Sequence, residues 1–387
     1  MRSKKNKLNS QRSSKRPSPA NGAPICSPIP ESIPRGSEFS VFSRRQRPRG
    51  TVVFETYWRF AAERQEIFFR RLSQPPPWTQ DPILQSYKFT NAYRASDRVS
   101  QFLMRNVIYQ GDQTPNEVFF RTILFKLFNR ISTWQLLVNR LGWPIISDFK
   151  VDLYDRVLTD ALNRTYKIYS GAYIMPSARI FGRDRKHSNH LLLIDKMLRD
   201  ELPDRIAEAP SMDRVFLLLR AYPSIGTFLA FQMTIDLNYS QTLNFSEMEF
   251  VVPGPGALDG IRKCFESLGD YSAADTIRFV AETQIEQFQL RGIPFKSLWG
   301  RSLQLVDCQN LFCEVDKYAR IAHPEIQIPT GRHRIKQRYQ PSSSQFEPWY
   351  PPKWRLGAIS DESKLTSINP TPNGAGRSAP ASHNNDA

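Results

Sequence analysis

The chain has 387 residues, with 53 Lys and Arg against 37 Asp and Glu, a net charge of +16 and 40% hydrophobic residues. Its 25 Phe, 14 Tyr and 7 Trp mark a globular middle large enough for a sizeable core. No run of about 18 apolar residues is present to span a membrane, the N-terminus lacks the apolar stretch of a secretory signal, and no Walker loop, GxGxxG, GxSxG or HExxH is found, which argues against the common nucleotide, hydrolase and metalloprotease chemistries.

The charge is unevenly placed. Residues 1–50 carry 12 Lys or Arg against 2 acids and residues 331–387 carry 8 against 4, leaving only +2 of the +16 for the middle. Basicity is therefore a property of the ends and is weak evidence for nucleic acid on a folded face. The clusters Arg2, Lys4, Lys5, Lys7 and Arg44, Arg45, Arg47, Arg49 read as nuclear-import signals if the host is eukaryotic, or as loose phosphate contacts; otherwise an intracellular protein is expected. Cys26, Cys264, Cys308 and Cys313 form no CxxC pair and no His-paired spacing, so neither a structural zinc nor a four-thiolate iron-sulfur cluster is indicated, and a reducing compartment is the default.

In chain order, residues 1–50 are rich in Ser, Pro, Lys and Arg and form a disordered basic tail. Phe54, Tyr57, Trp58, Ala61, Ala62, Phe68, Phe69 and Leu72 recur at intervals of three and four, which predicts a helix ended by Pro75, Pro76 and Pro77. Ser96 caps a helix carrying Val99, Phe102, Leu103 and Val107, and further helices are predicted over 115–130, 133–141, 151–163, 188–200, 212–221, 224–237, 257–268, 272–290 and 302–319. Alternating strand patterns are scarce. The reading is an all-α domain over 51–326 in two helical lobes, followed by a Pro/Ser-rich disordered tail over 327–387 in which "YQPSSSQFEPWYPPKW" carries aromatics suited to clip onto the folded body.

Polar residues crowd "YKFTNAYRASDRVSQ", "DLNYSQTLNFSEMEF" and "LQLVDCQNLFCEVDKYAR". In the last, Asp307, Asn310, Glu314 and Lys317 fall on one helical face opposite Leu305, Val306, Phe312 and Val315. That stripe is either a general base with cationic support or a salt-bridged solvent face. His187 and His190 are spaced to share one helical turn, as metal ligands or as an exposed first-turn pair, and no third ligand matches them. Pro253, Gly254, Pro255 and Gly256 sit between an apolar run and an amphipathic helix, giving either an ordinary turn or a preformed seat whose outward amides and helix N-terminus suit a phosphate.

The segments "YWRFAAERQEIFFRR", "PWTQDPILQSYKFTNAYRASDRVSQ", "YIMP", "DLNYS", "NFSEMEFVVPGPGA" and "VDCQNLFCEVDKYARIAHPE" resemble the helical domain of DNA base-hypermodification proteins. These are the alpha-glutamyl/putrescinyl-thymine pyrophosphorylases, whose domain also occurs with 5-hydroxymethyluracil DNA kinases. The resemblance implies a helix-hairpin-helix, DNA-glycosylase-like fold in which "VVPGPGA" holds a DNA phosphate through Pro253, Gly254 and Gly256, with Arg262 and Lys263 beside them, and in which "LVDCQN" supplies a catalytic Asp307. The interval from Gly256 to Asp307 is longer than glycosylases show, and the lysine of glycosylase-lyases is here Leu258, which argues against Schiff-base strand cleavage.

For the family's reaction, an amine attacks the exocyclic methylene of a pyrophosphorylated 5-hydroxymethyl pyrimidine and pyrophosphate departs. The resemblance then nominates Asp307, Glu314, Asn310, Gln309 and Lys317 as catalytic and Tyr93, Arg94, Asp97, Asn238, Tyr239, Asn244 and Glu247 as substrate-binding. Tyr93, Tyr239 and Phe245 are candidates for stacking on a flipped base, with core packing as the alternative; Arg94, Lys317 and Arg320 are candidates for the leaving pyrophosphate. No metal or cofactor is indicated. The implied partners are duplex DNA carrying modified pyrimidines, a small amine or amino-acid donor and a DNA-base kinase, with no membrane. A DNA glycosylase acting on modified pyrimidines and a non-catalytic reader of modified DNA are the alternative functions.

Overall fold

In a computed structural model of the chain, residues 45–171, 175–328, 331, 333–340 and 347–356 are described. The N-terminal cluster Arg2 to Lys7, Arg44, Cys26, part of "YIMP" and the chain from 357 onward lie outside the described residues. Helix α1, Val52–Ser73, begins where the Thr51 hydroxyl accepts the Val53 N–H at 3.1 Å, and it stops before the prolines as expected. Its apolar stripe lays Tyr57 on Phe312, ring centroids 4.6 Å apart, and Trp58 edge-on to Phe288 at 4.9 Å. Asp81 caps α2, Pro82–Ser86, by accepting the Ile83 and Leu84 N–H groups.

A 3-10 turn, Arg94–Ser96, leads into α3, Arg98–Leu103, and a π-turn, Met104–Ile108. Ser96 therefore closes the turn, and Asp97 takes the N-cap position assigned to Ser96 from the sequence. Then comes α4, Pro115–Phe128, buried without a break from Val118 to Phe128, so it reads as a hub rather than a one-faced helix. Around it stand α5 (Ile131–Leu141), α6 (Val151–Asn163), α7 (Lys186–Arg199), α8 (Leu202–Ala207), α9 (Met212–Arg220) and α10 (Thr227–Asn238).

The remaining helices return to α1. They are α11 (Pro255–Cys264), α12 (Ala273–Leu290), opened by a Ser272/Asp275 capping box, and α13 (Leu305–Ala322). Helices α11 and α13 pack on each other more extensively than any other pair among the described residues, and both pack on α1. The helical prediction over 257–268 ends early, because Phe265–Ser267 leaves the helix as β2 and pairs antiparallel with β1, Arg49–Gly50. Burying Phe265 against Phe54, centroids 4.6 Å apart, overrides local helix propensity there. The all-α reading holds, with two groups of helices: α1 with α11 to α13, and α4 with α7, α8 and α10.

The segment 239–254 runs irregularly between α10 and α11, so the hairpin is reached through a loop rather than a short turn between two helices. Beyond α13, residues 337–339 pair with the end of α2, with the Lys88 N–H donating to Gln337 at 3.1 Å. Residues 347–356, placed by composition in the tail, lie against the body, with Tyr350 and Leu356 buried as the aromatic clip suggested. Among the described residues no helix is long and apolar enough to cross a membrane.

Candidate active site

The two helix groups are joined through Arg94. Its N–H donates to Asp307 Oδ1 at 2.8 Å, while its guanidinium reaches α10, donating to Gln232 Oε1 (3.1 Å), the Tyr239 hydroxyl (2.8 Å) and Asp236 Oδ1 (2.7 Å). From α4, Lys126 Nζ closes on Asp236 Oδ2 at 2.6 Å. Burial and the neighbouring Arg94 charge oppose the Lys126 ammonium, and its pKa falls to about 8 although Asp236 pulls it up. Arg94 is thus a buried cross-link, which corrects its assignment to pyrophosphate: each of its guanidinium nitrogens has a partner inside the protein.

Asp307 is at the third position of α13. Its second oxygen accepts the Gln304 N–H at 3.0 Å, completing a capping box. Burial, then the negative charge of Glu247, push its pKa from the ordinary 3.8 to about 7, against the two N–H donors and Arg301. Glu247, in the 239–254 segment, is buried and paired with Arg301 Nη2 at 3.2 Å. Arg301 was not read from the sequence. Asp97 is also raised to about 7, chiefly by burial, while accepting the Asn91 N–H at 2.8 Å.

The stripe Asp307, Asn310, Glu314, Lys317 is neither an open solvent face nor a single site. Asp307 and Glu314 are buried, and the lower part ties α13 to the loop before Arg94: Glu314 Oε2 accepts the Thr90 N–H at 3.0 Å, Asn310 Nδ2 donates to Thr90 Oγ1 at 3.0 Å, and Lys317 Nζ pairs with Glu314 at 2.6 Å. Arg320 is held by Asp316 at 2.5 Å, which removes it from the pyrophosphate candidates. Tyr93 and Tyr239 are almost fully buried, each with its hydroxyl hydrogen-bonded, so they form walls rather than open stacking platforms. Asn238 clasps Phe245 through both of its side-chain atoms at 3.0 Å and is a loop fastener; Asn244 is exposed.

At the hairpin, Gly254 is the N-cap of α11 and gives no side-chain cap, while Pro255 follows it in the first turn. As first-turn positions, Gly256 and Ala257 have no intrahelical acceptor for their amides. Neither hairpin glycine has a positive φ. Glycine is required by proximity instead: a Cβ on Gly256 would lie 2.4 Å from Cys313 Sγ, and one on Gly254 would lie 3.0 Å from the Phe228 ring. A cavity of about 320 Å³ adjoins the hairpin, lined by Thr227, Phe228, Pro253, Pro255, Leu258, Asp259 and Arg262. Arg262 is half exposed there and pairs with Asp259 at 3.0 Å. Lys263 points the other way, buried on Asp316 at 3.0 Å, which corrects its assignment to DNA. Gln309 is buried, its Oε1 lacks a hydrogen-bond partner, and its Nε2 stands 3.4 Å from the Cβ position of Gly254, so the hairpin and the first turns of α13 are neighbours.

His187 and His190 turn inward. His187 Nε2 is 3.0 Å from the Thr159 hydroxyl, and His190 sits between the Tyr169 hydroxyl (2.9 Å) and the Pro176 carbonyl (2.7 Å) with its pKa lowered by burial to about 4. Segment 347–356 covers the Asp307 region: the Tyr350 and Ser96 hydroxyls are 2.7 Å apart, the Trp354 ring lies 4.0 Å from Arg301 Cζ, and Lys353 Nζ donates to the carbonyls of Asn238, Ser240 and Leu243. The aromatic, proline-rich composition was the signal for this segment. For Asp236 it was the one charge in α10, and for Lys126 a cation among the apolar residues that end α4.

A family model described as "5-hmdU DNA kinase, helical domain" matches residues 51–328. Among curated proteins, a 5-hmdU DNA kinase of Bacillus phage SP10 is 26% identical over 300 residues, an alignment that covers 71% of this chain and 46% of that protein. The chain thus spans about half the length of that relative, and no solved structure matches it. By this match the chain belongs to the 5-hmdU DNA kinase helical-domain family.

Proposed function

We propose that this chain acts on a 5-hydroxymethyl pyrimidine in DNA, replacing a pyrophosphate on its methylene with an amine-bearing group. The amine nitrogen bonds to the exocyclic methylene carbon, the bond from that carbon to the pyrophosphate oxygen breaks, pyrophosphate leaves, and the proton released by the amine passes to a carboxylate. The observation that carries the reading is a buried carboxylate with a pKa of about 7, Asp307, two residues along α13 from the Gln309 that adjoins the hairpin. A group titrating near neutrality accepts a proton and returns it without a large driving force. Glu247 is the second carboxylate in reach, and Arg301 is the cation beside it. The hairpin amides and Arg262 hold the DNA backbone and carry no base information.

The relative's name adds the substrate class, hydroxymethylated uracil in DNA. The sequence has no GxxxxGKS or GxxxxGKT loop, the phosphate cradle of P-loop kinases. Incubation with duplexes carrying thymine, 5-hydroxymethyluracil or its pyrophosphate, with candidate amines and mass analysis of the nucleosides, tests the reading. A mass increment on the pyrophosphorylated base supports it. Release of free base identifies a glycosylase instead, and binding without product identifies a reader.

A further inference from the structure

Residues 347–356 lie beyond the matched domain, which ends at 328, yet they seal the polar centre described above. Tyr350 is buried, 5.9 Å from the Trp299 ring centroid and stacked on Trp354 at 6.0 Å. Trp354 receives Arg301 over its face and meets Tyr239 edge-on at 5.7 Å. An aromatic face under a guanidinium and a hydroxyl on Ser96 are the contacts that an extruded base also seeks, stacking and an edge hydrogen bond. Part of its fastening is polar and replaceable by water, the Lys353 ammonium on three carbonyls and the Trp349 N–H on Gln101 Oε1 at 2.7 Å; the rest is the packing of Trp349, Tyr350 and Leu356. Burial opposes the Lys353 charge and lowers its pKa to about 8, so this fastening is weaker than three short hydrogen bonds alone suggest.

We infer that segment 347–356 is an internal competitor for the base pocket: Tyr350 and Trp354 stand where the extruded pyrimidine is received against Asp307, Glu247 and Arg301, and the segment leaves when DNA binds. The assignment of the pocket to a pyrimidine rests on the function proposed above; the displacement does not. A closed segment lowers apparent affinity by the fraction of molecules that are open, so releasing it strengthens binding without adding a contact.

The test uses the full chain and candidate amines, with a duplex carrying one pyrophosphorylated 5-hydroxymethyluracil and a thymine control. Lys353→Ala is expected to bind the modified duplex about 3- to 30-fold more tightly, and hydrogen exchange of residues 347–356 in the unaltered protein is expected to speed up at saturating DNA. Unchanged or weaker binding by a Lys353→Ala protein with an unaltered melting temperature overturns the inference. So does continued protection of 347–356 at saturation, which decides the matter even if the variant folds poorly. Opening of the segment with no product from any duplex counts against the proposed chemistry and leaves the competitor standing; product formed while the segment stays protected removes the competitor alone.

Discussion

Gly260 in α11 faces the main-chain carbonyl of Phe312 in α13 so closely that a methyl group there would lie 1.9 Å from the carbonyl oxygen. Main chain cannot rotate aside as a side chain does, so the contact fixes the spacing of the two helices and with it the position of the hairpin relative to Asp307. Gly260→Ala is expected to destabilise by at least the ~1–3 kcal/mol typical of an overpacked core. Gly256→Ala meets the Cys313 side chain instead and is expected to lower the melting temperature less. Equal melting temperatures for the two variants would contradict this ordering.

Arg262 is the exposed cation at the hairpin cavity. Arg262→Ala is expected to weaken binding to all DNA sequences alike and to reduce the slope of log affinity against log salt by about one. Filter binding across a salt series measures both. A change in base preference would place Arg262 at a base edge rather than at the backbone.

The raised pKa of Asp307 has a defined sign. Its carboxyl holds a proton more tightly in the folded state, so its contribution favours folding at low pH and is lost as pH rises from the ordinary 3.8 through about 7. Asp307→Asn does not titrate. The melting temperature of the unaltered protein minus that of the variant should therefore shrink over that window, with the Asp97 titration cancelling because both proteins carry it. Under the proposed chemistry the same variant should lose about 10²- to 10⁴-fold in turnover while its DNA affinity holds. Full turnover in a folded variant would transfer the role to Glu247.

Lys263 and Asp316 are both buried and 3.0 Å apart, with Arg320 as a second partner of the carboxylate. Lys263→Met should destabilise by ~3 kcal/mol, the lower end for breaking a buried pair. DNA affinity of the folded protein should not move, since the ammonium faces α13. Denaturant unfolding and a binding isotherm on one preparation check both statements.

Helices with a long one-sided stripe were legible from sequence: α1 and α13 lie close to where their periodicity puts them. Six-residue α8 was not, because it is too short to show a period. Phe265 was read as helix because its strand pairing depends on Gly50, far away in the chain. Of the residues nominated for the site, Asp307 and Glu247 come together in the fold, whereas Arg94 and Lys263 turn inward to buried acids. Arginine or lysine looks the same in sequence whether it points to solvent or to a buried acid such as Asp236 or Asp316. The cover over Asp307 pairs Ser96 with Tyr350 across 254 positions, a separation no local pattern reports.

Thr51 donates its N–H to Cys264 O at 2.8 Å and its hydroxyl to Lys263 O at 2.6 Å, so the cap of the first helix also closes the end of α11. This joint has a consequence for biosynthesis. Helix α1 is complete at Ser73, but α13, against which it packs, begins only at Leu305. At the usual ~5–20 residues per second, the ribosome needs roughly 10–50 s to make the intervening chain. During that interval the Tyr57 and Trp58 face has no native cover, while the α4 hub can already assemble with α7, α8 and α10. The nascent protein should therefore require protection for its first helix rather than for its middle.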